Sequence, residues 1–349
     1  MTLRYREIDV AGTPRELGRQ IGEAAGELIR SFCEVALQRV NRTVRISRES
    51  ALRIAQESIP LAEDYAPDMV EELRGTAEAA GIPLADLMLL QVRNQLQPDD
   101  AGCTSFSLAN VAGLGRVACQ NWDNDPFLDQ FTIVLTRRPT GKPVVTTITQ
   151  AGLIAYVGFN SAGMGLCLNT LPAPSRKRGV PHYFTVRGIL ESDSLEGAIT
   201  AVRRAERAIP ANIMLTTPQG PANLEVTIDE VYVLRDAGAG IVTHANHARH
   251  PDLVAASQGF PELIQSRPRQ ARIDQLLEKP SNAAWSLLQV QSALRDHDGH
   301  PRSICRHAND DPQTGFWQTV FSAIIAPEAG KMLLTRGTPC DREFETYSM

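Results

Sequence analysis

The chain of 349 residues has no uninterrupted apolar run approaching the ~18 residues that a membrane-spanning helix needs. Its opening, MTLRYREIDVAG, carries charges within the first ten residues and lacks the apolar centre of a secretory signal. A soluble, cytoplasmic protein without a membrane partner is the expectation. Positive charge is not in excess either: 35 Lys and Arg stand against 40 Asp and Glu, the net charge is −5, and no basic block stands out. This argues against a nucleic-acid partner, because neutralising phosphates requires clustered cations. Cysteine is sparse, with six residues (Cys33, Cys103, Cys119, Cys167, Cys305, Cys340) and no C-x-x-C pair. That usage fits reduced thiols better than a disulfide framework. There is no internal repeat and no low-complexity linker. With 43% hydrophobic and 21% charged residues, disordered and collagen-like classes are excluded.

What is present reads first as helices. A short strand, Tyr5 to Val10, precedes a long amphipathic run with Thr13 as N-cap and Pro14 at the first helical position. Ser47, with Glu49 in the first turn, opens a second helix, and Pro67 a third. Gly81-Ile82-Pro83 separates that one from a fourth ending near Leu96. At Gly102 the pattern changes to short β-rich runs: CTSFSLAN, RVACQNWD, FTIVLTRR, PVVTTITQ, LIAYVGFN and MGLCLNTL. Helices are expected over Pro181 to Glu191 and Leu195 to Ala205, followed by strands in NIMLTTP, ANLEVTI, EVYVLR and GIVTHAN. Further helices are expected over Arg267 to Leu277 and Ala283 to Leu294, the latter capped by Ser281 or Asn282. TVFSAIIAP and KMLLTRG read as the last strands. This order suggests an α+β chain with two packed, mainly antiparallel sheets covered by helices, a four-layer αββα arrangement.

The composition shift at residues 97 to 103, QPDDAGC, coincides with a Gly-Cys junction. Cys103 alone could be a buried core residue, a metal ligand or a nucleophile, since cysteine is among the most buried residue types. A thiol attacks efficiently only as thiolate and needs a base. A cysteine at a newly made N-terminus carries its own, because an α-amino group with a pKa of about 7.7–8.0 is partly neutral near neutral pH. The Gly102–Cys103 bond would have to be cut first. Glycine suits that step by admitting backbone conformations that expose its carbonyl to the thiol. Asp99 and Asp100 would lie on the departing side.

The motifs AGCTSFSL, CQNWDND, VGFNSAGMGLCLNTL, THANH, HDGHPRSICRH and MLLTRGTPCDREFETY occur in that order over nearly the whole chain. Together they resemble the acyl-coenzyme A:6-aminopenicillanic acid acyltransferase family of self-processing N-terminal-nucleophile proteins, related in fold and chemistry to penicillin V acylase and bile-salt hydrolase. The resemblance implies that Cys103 is the nucleophile. It also implies that cleavage after Gly102 yields an α chain of residues 1–102 and a β chain of residues 103–349, forming one structural domain. Asp123 matches the acidic residue that holds the α-amino group, Asn246 the oxyanion-hole asparagine, and Arg306 a charged residue supporting the site. Trp122 and His247, beside these residues in the motifs, are assigned to substrate binding. Ala248 departs from the family pattern, in which an aromatic often follows the Asn-His pair, so a differently shaped acyl pocket is expected.

The activity so implied is hydrolysis or transfer of an acyl group from a small amide, through a Cys103 thioester and without metal or other cofactor. The alternative within this chemistry is acyl-coenzyme A-dependent N-acyl transfer, with an acyl thioester as substrate. Self-association of the chain is left open. A zinc-dependent hydrolase is the rival class: His244, His247 and His250 are spaced in threes, and Asp296, His297, Asp298 and His300 form another polar cluster. The spacing is not that of a helical H-E-x-x-H, and Pro251 with the preceding β run argues against three histidines on one helix face. An uncut binding protein is the third class. Gly158, Gly163 and Gly165 with Asn160 read as a hairpin turn, since no helix follows to complete a phosphate cradle.

Overall fold

Thr13 begins the first long helix as its residue type dictates: the Glu16 carboxylate accepts hydrogen bonds from the Thr13 N–H at 2.8 Å and from its hydroxyl at 2.7 Å. The computed structural model describes residues 4–42, 44–96, 102–260, 262–263, 265–278, 284–312 and 315–349, apart from the side chain of Ala256. After strand β1 (Arg6–Gly12) come helices α1 (Pro14–Val40), α2 (Arg48–Tyr65), α3 (Pro67–Ala80) and α4 (Leu84–Val92). The β-rich part begins with β2 (Cys103–Val111), β3 (Gly115–Asn124), β4 (Thr132–Pro139), β5 (Val145–Gln150), β6 (Val157–Asn160) and β7 (Gly165–Asn169). Helices α5 (His182–Leu190) and α6 (Leu195–Arg203) lead to β8 (Ala211–Thr217), β9 (Gly220–Val226), β10 (Val231–Arg235) and β11 (Ile241–His244). Helices α7 (Pro251–Ser257), α8 (Ser266–Leu276) and α9 (Leu287–Leu294) precede β12 (Gln318–Ala326), β13 (Lys331–Arg336) and β14 (Glu345–Ser348). No helix among the described residues is long and apolar enough to cross a membrane.

Among the described residues the strands form an eight-stranded sheet, ordered β1-β4-β5-β6-β7-β8-β9-β10, and a six-stranded sheet, ordered β11-β2-β3-β12-β13-β14. All pairings are antiparallel except β1 with β4, which runs parallel. Side-chain alternation along β3 shows how the layers stack. Ala118 and Trp122 join the large core between the sheets, which continues through the eight-stranded sheet to α1–α6. Cys119 points the other way, into a second core with Ile273 of α8 and Val290 and Leu294 of α9. Asn121, on that same outer face, donates to the carbonyls of Leu294 at 2.8 Å and Ile304 at 2.9 Å. Helices, sheet, sheet and helices therefore succeed one another, as the expected αββα arrangement requires.

Several local expectations change. The helix expected from Ala283 begins at Leu287 with Ser286 as N-cap, because Trp285 is held in a bridge beside Val111; Ser281, Asn282 and Ala283 lie outside the described residues. LIAYVGFN is strand only from Val157. Before that point side chains take the backbone groups, with Gln91 accepting from Ile154 N–H and Arg137 donating to the Leu153 carbonyl. Helix α7 and strand β14 were not anticipated. The turn around Asn160 is as expected, its side-chain oxygen accepting from the N–H groups of Ala162 and Met164.

Helices α1 and α3 pack closely because glycines face the contact. A Cβ on Gly18 would lie 1.9 Å from the Glu72 carbonyl oxygen, and one on Gly75 2.4 Å from that of Arg15. Glu72, on the same helix, accepts from Arg137 of β4 at 2.7 Å and from Arg187 of α5 at 3.3 Å, all three being buried. This triad ties the helical layer to the sheet. In an exposed helix Gly→Ala gains up to about 1 kcal/mol. Here the sign reverses: Gly18→Ala is expected to cost about 1–3 kcal/mol through overpacking, read as a lower urea midpoint with an unchanged slope.

Candidate active site

Cys103 is the first residue of β2, and the ladder sets it opposite Trp122 of β3. One step further out, the Asp123 N–H donates to the Gly102 carbonyl at 3.0 Å, so the carbonyl of the junction is polarised by a fixed donor. On the other side, β11 pairs with β2 as far as His244 opposite Ser105. The segment beyond it brings in Asn246, whose Oδ1 accepts from the Cys103 N–H at 2.9 Å. Both backbone groups of the Gly102–Cys103 peptide are thus held, and Cys103 is 2% exposed. Ala101, Asp99 and Asp100 lie outside the described residues.

Asp123 is fully buried, and its Oδ1 accepts from the Thr319 hydroxyl at 2.7 Å. Its Oδ2 has no hydrogen-bond partner. Thr319 sits opposite Asp123 in β12, next to a bulge before Phe321, and its hydroxyl also accepts from the Arg306 N–H at 3.0 Å. Bulges that re-aim a strand are common beside active sites. Arg306 is buried, donates from Nε to the Trp317 carbonyl at 3.3 Å, and leaves Nη1 without a partner. Burial pushes the Asp123 carboxyl up to about 6, against the opposing pull of Arg269, Arg306 and the Thr319 bond.

Arg269 of α8 was not anticipated. Its Nη1 donates to the Cys103 carbonyl at 2.5 Å and to the Thr104 hydroxyl at 2.8 Å, while Nη2 donates to Asn246 Oδ1 at 2.7 Å. Two donors on one oxygen fix the orientation of the Asn246 amide: Oδ1 faces Cys103 and Nδ2 donates to the Thr170 carbonyl at 3.0 Å. An amide nitrogen carries two hydrogens, so one remains for another acceptor. Nothing in RPRQAR distinguished Arg269 from its neighbours. Arg267 is exposed and Arg272 pairs with Asp296, and only the packing of α8 onto β2 separates their roles.

The Cys103 side chain reaches an open cleft with Trp122, Leu128, Tyr156, Leu168 and Tyr183 among its apolar walls. Trp122 packs edge-on to Tyr156 and against Phe321, so its ring is held rather than mobile. His182 lines the same cleft, and burial lowers it to about 4, which leaves it neutral at working pH. His247 lies elsewhere. Its Nδ1 is 2.7 Å from the Ser266 hydroxyl, and it lines a neighbouring cavity with Ala248, Val254 and Phe260. Ser266, at the start of α8, holds both the Asn246 N–H and the His247 ring, and His247 does not line the Cys103 cleft.

The histidines spaced in threes do not converge. His244 pairs with Glu225 at 2.7 Å, His247 with Ser266, and the His250 ring stacks against Tyr232. Cysteines inside the cores are unsuited to attack: burial pushes Cys33 up to about 12 and Cys119 and Cys167 well above the ordinary thiol range.

A buried thiol opens an inner strand of an αββα fold, with carboxylate, amide and guanidinium groups gathered about it, and the class of protein is an acyl-transferring or amide-hydrolysing enzyme. Residues 112–341 match the family described as acyl-coenzyme A:6-aminopenicillanic acid acyl-transferase, and the chain belongs to that family. It is 27% identical over 349 residues to an acyl-coenzyme A:6-aminopenicillanic-acid-acyltransferase 40 kDa form of Emericella nidulans, covering 98% of this chain and 95% of the relative. Among solved structures, penicillin V acylase from Agrobacterium tumefaciens aligns with a TM-score of 0.48 and 12% identity, over 71% of this chain and 86% of the other. A conjugated bile acid hydrolase from Clostridium perfringens aligns with a TM-score of 0.45 and 13% identity, over 71% of this chain and 97% of the other.

Two outcomes are expected of these contacts. With Asp123 raised to about 6 in the folded chain, the folded state keeps a proton that the unfolded state loses near pH 4. Stability from this group is therefore present at low pH and lost as pH rises through ~4 to ~6. In an uncut Cys103→Ala background, adding Asp123→Asn is expected to raise the stability measured at pH 8 relative to pH 4 by roughly 2–3 kcal/mol, read from urea unfolding at each pH. Arg269→Met frees the Asn246 amide to turn and is expected to lower kcat on the order of 10²-fold with little change in KM, read by steady-state kinetics.

Proposed function

We propose that the chain cleaves its own Gly102–Cys103 bond and then works as an amidase or acyltransferase through a Cys103 thioester. The observation that carries this reading is the double hold on that peptide: Asp123 N–H on the Gly102 carbonyl and Asn246 Oδ1 on the Cys103 N–H. In the first step the Cys103 thiol adds to the Gly102 carbonyl carbon. The C–N bond breaks, the nitrogen takes the thiol proton, and a thioester joins Gly102 to Cys103. Water hydrolyses that thioester, returning the thiol and leaving a carboxylate on Gly102. Residues 1–102 and 103–349 remain together as α and β chains, because their side chains share one core.

The freed α-amine is the base for catalysis. Asp123, adjacent to the cut and with Oδ2 unpartnered, takes the ammonium formed when the amine accepts the Cys103 proton. The thiolate attacks the carbonyl of a small amide bound in the cleft, the remaining Asn246 Nδ2 hydrogen donates to the tetrahedral oxygen, and the ammonium protonates the leaving amine. Water then releases the acid, or an amine takes the acyl group. Arg306 acts through its charge on Asp123, since Thr319 links the two without a direct ion pair. Trp122 presents an apolar wall to the substrate. The identity to a named acyltransferase over nearly the full length supports transfer from an acyl-coenzyme A thioester as a second reading. Six cysteines without a disulfide suit a reducing, cytoplasmic setting.

Intact mass spectrometry under denaturing conditions tests the first step. Wild type is expected to give two fragments meeting between Gly102 and Cys103, and Cys103→Ala a single chain; one uncut mass in both would remove the α-amine from the mechanism. With the processed protein, amide hydrolysis that needs no acceptor separates the amidase from thioester consumption that requires an added amine.

A further inference from the structure

The segment that carries Arg306 also carries a cluster the reaction does not use. His307 Nε2 lies 3.0 Å from His297 Nε2, 3.7 Å from Cys305 Sγ and 3.5 Å from Cys340 Sγ. The ligand atoms of all four residues lie within 4.8 Å of one another. A neutral imidazole nitrogen has either one hydrogen to give or one lone pair to offer, so it can satisfy only one close partner well. Three polar atoms crowding one nitrogen, two of them sulfurs, call for a cation between them. For tetrahedral zinc, metal–sulfur bonds near 2.3 Å and metal–nitrogen bonds near 2.0–2.1 Å separate neighbouring ligand atoms by about 3.3–3.8 Å. The three separations from His307 Nε2 lie at or close to that range before any ion has drawn the ligands in.

We propose that His297, Cys305, His307 and Cys340 form a zinc(II) site. Two thiolates and two imidazoles make a soft, neutralising donor set that suits this ion. Four protein ligands close the coordination sphere and leave no place for a reactive water, so the site is structural. None of the four lines the Cys103 cleft. Cys305 is buried while His297 is exposed, so the ion is reached from the solvent edge.

The position of the site gives it a task. Cys305 and His307 flank Arg306, and their side chains meet in the cluster while the Arg306 guanidinium reaches the Trp317 carbonyl and the field of Asp123. The remaining ligands come from beyond α9 and beyond β13. The ion therefore clasps three separate stretches of chain and holds Arg306 from behind.

The test reads metal and not activity, so it stands whether or not the proposed self-cleavage occurs. Elemental analysis of full-length protein purified without chelator is expected to find about one zinc per chain. Cys305→Ser and Cys340→Ser are each expected to lower that content at least about tenfold, and Cys33→Ser, remote in α1, to leave it unchanged. Because a variant could lose metal by failing to fold, cobalt(II) is also added to metal-stripped wild type. Tetrahedral ligand-field bands and a thiolate-to-cobalt charge-transfer band are expected there, with circular dichroism reporting that the variants remain folded. Metal-free wild type that gives neither band, or a Cys305–Cys340 disulfide seen as the loss of two hydrogens in the intact mass, would overturn the proposal.

Discussion

The register of β2 against β3 is the constraint on which the rest of the site depends. With Cys103 opposite Trp122, the Gly102 carbonyl meets the Asp123 N–H, the thiol faces the cleft and the carboxylate faces the outer helical layer. A slip of one residue would exchange the two faces of the strand, because side chains alternate with a period of two. The register is secured well beyond the site. Cys119, Phe106 and Val117 must reach the core under α8 and α9, whereas Ala118 and Trp122 must reach the core between the sheets. Burial of ordinary apolar side chains thus sets where the chemistry sits.

The same burial makes the site electrostatically costly. Asp123, Arg269 and Arg306 are almost fully enclosed. Charges taken from water without close partners destabilise a fold. Here they are held by neutral groups: the Thr319 hydroxyl, the Cys103 and Trp317 carbonyls, and the Asn246 amide. Such an arrangement keeps a carboxylate responsive to a new positive charge close by. It is the condition that an α-ammonium formed beside Asp123 would meet.

Much of the architecture was legible before the structure. Capping at Thr13 and Ser47, glycine at the end of α3 and the β-rich runs after Gly102 each mark an element through local backbone chemistry. Where reading failed, a distant partner had intervened. Trp285 is drawn into a bridge with Val111, delaying α9, and Leu153 and Ile154 trade ladder bonds for contacts with Gln91 and Arg137. The parallel pairing of β1 with β4 joins strands separated by more than a hundred residues, and no local pattern encodes such a direction.

The sequence by itself determined the family and pointed to the stretches in which its chemistry is proposed to lie. A glycine before a cysteine at a change from helix to strand, with Asp123, Asn246 and Arg306 in ordered motifs, is a local and linear signal. Tertiary structure alone decided which side chains share a volume. It selected Arg269 from a run of similar arginines, turned His247 away from Cys103, and drew His297, Cys305, His307 and Cys340 together while dispersing the regularly spaced histidines. The physical reason is that orientation at a site is fixed by packing between layers, and the residues that meet there come from elements far apart in the chain.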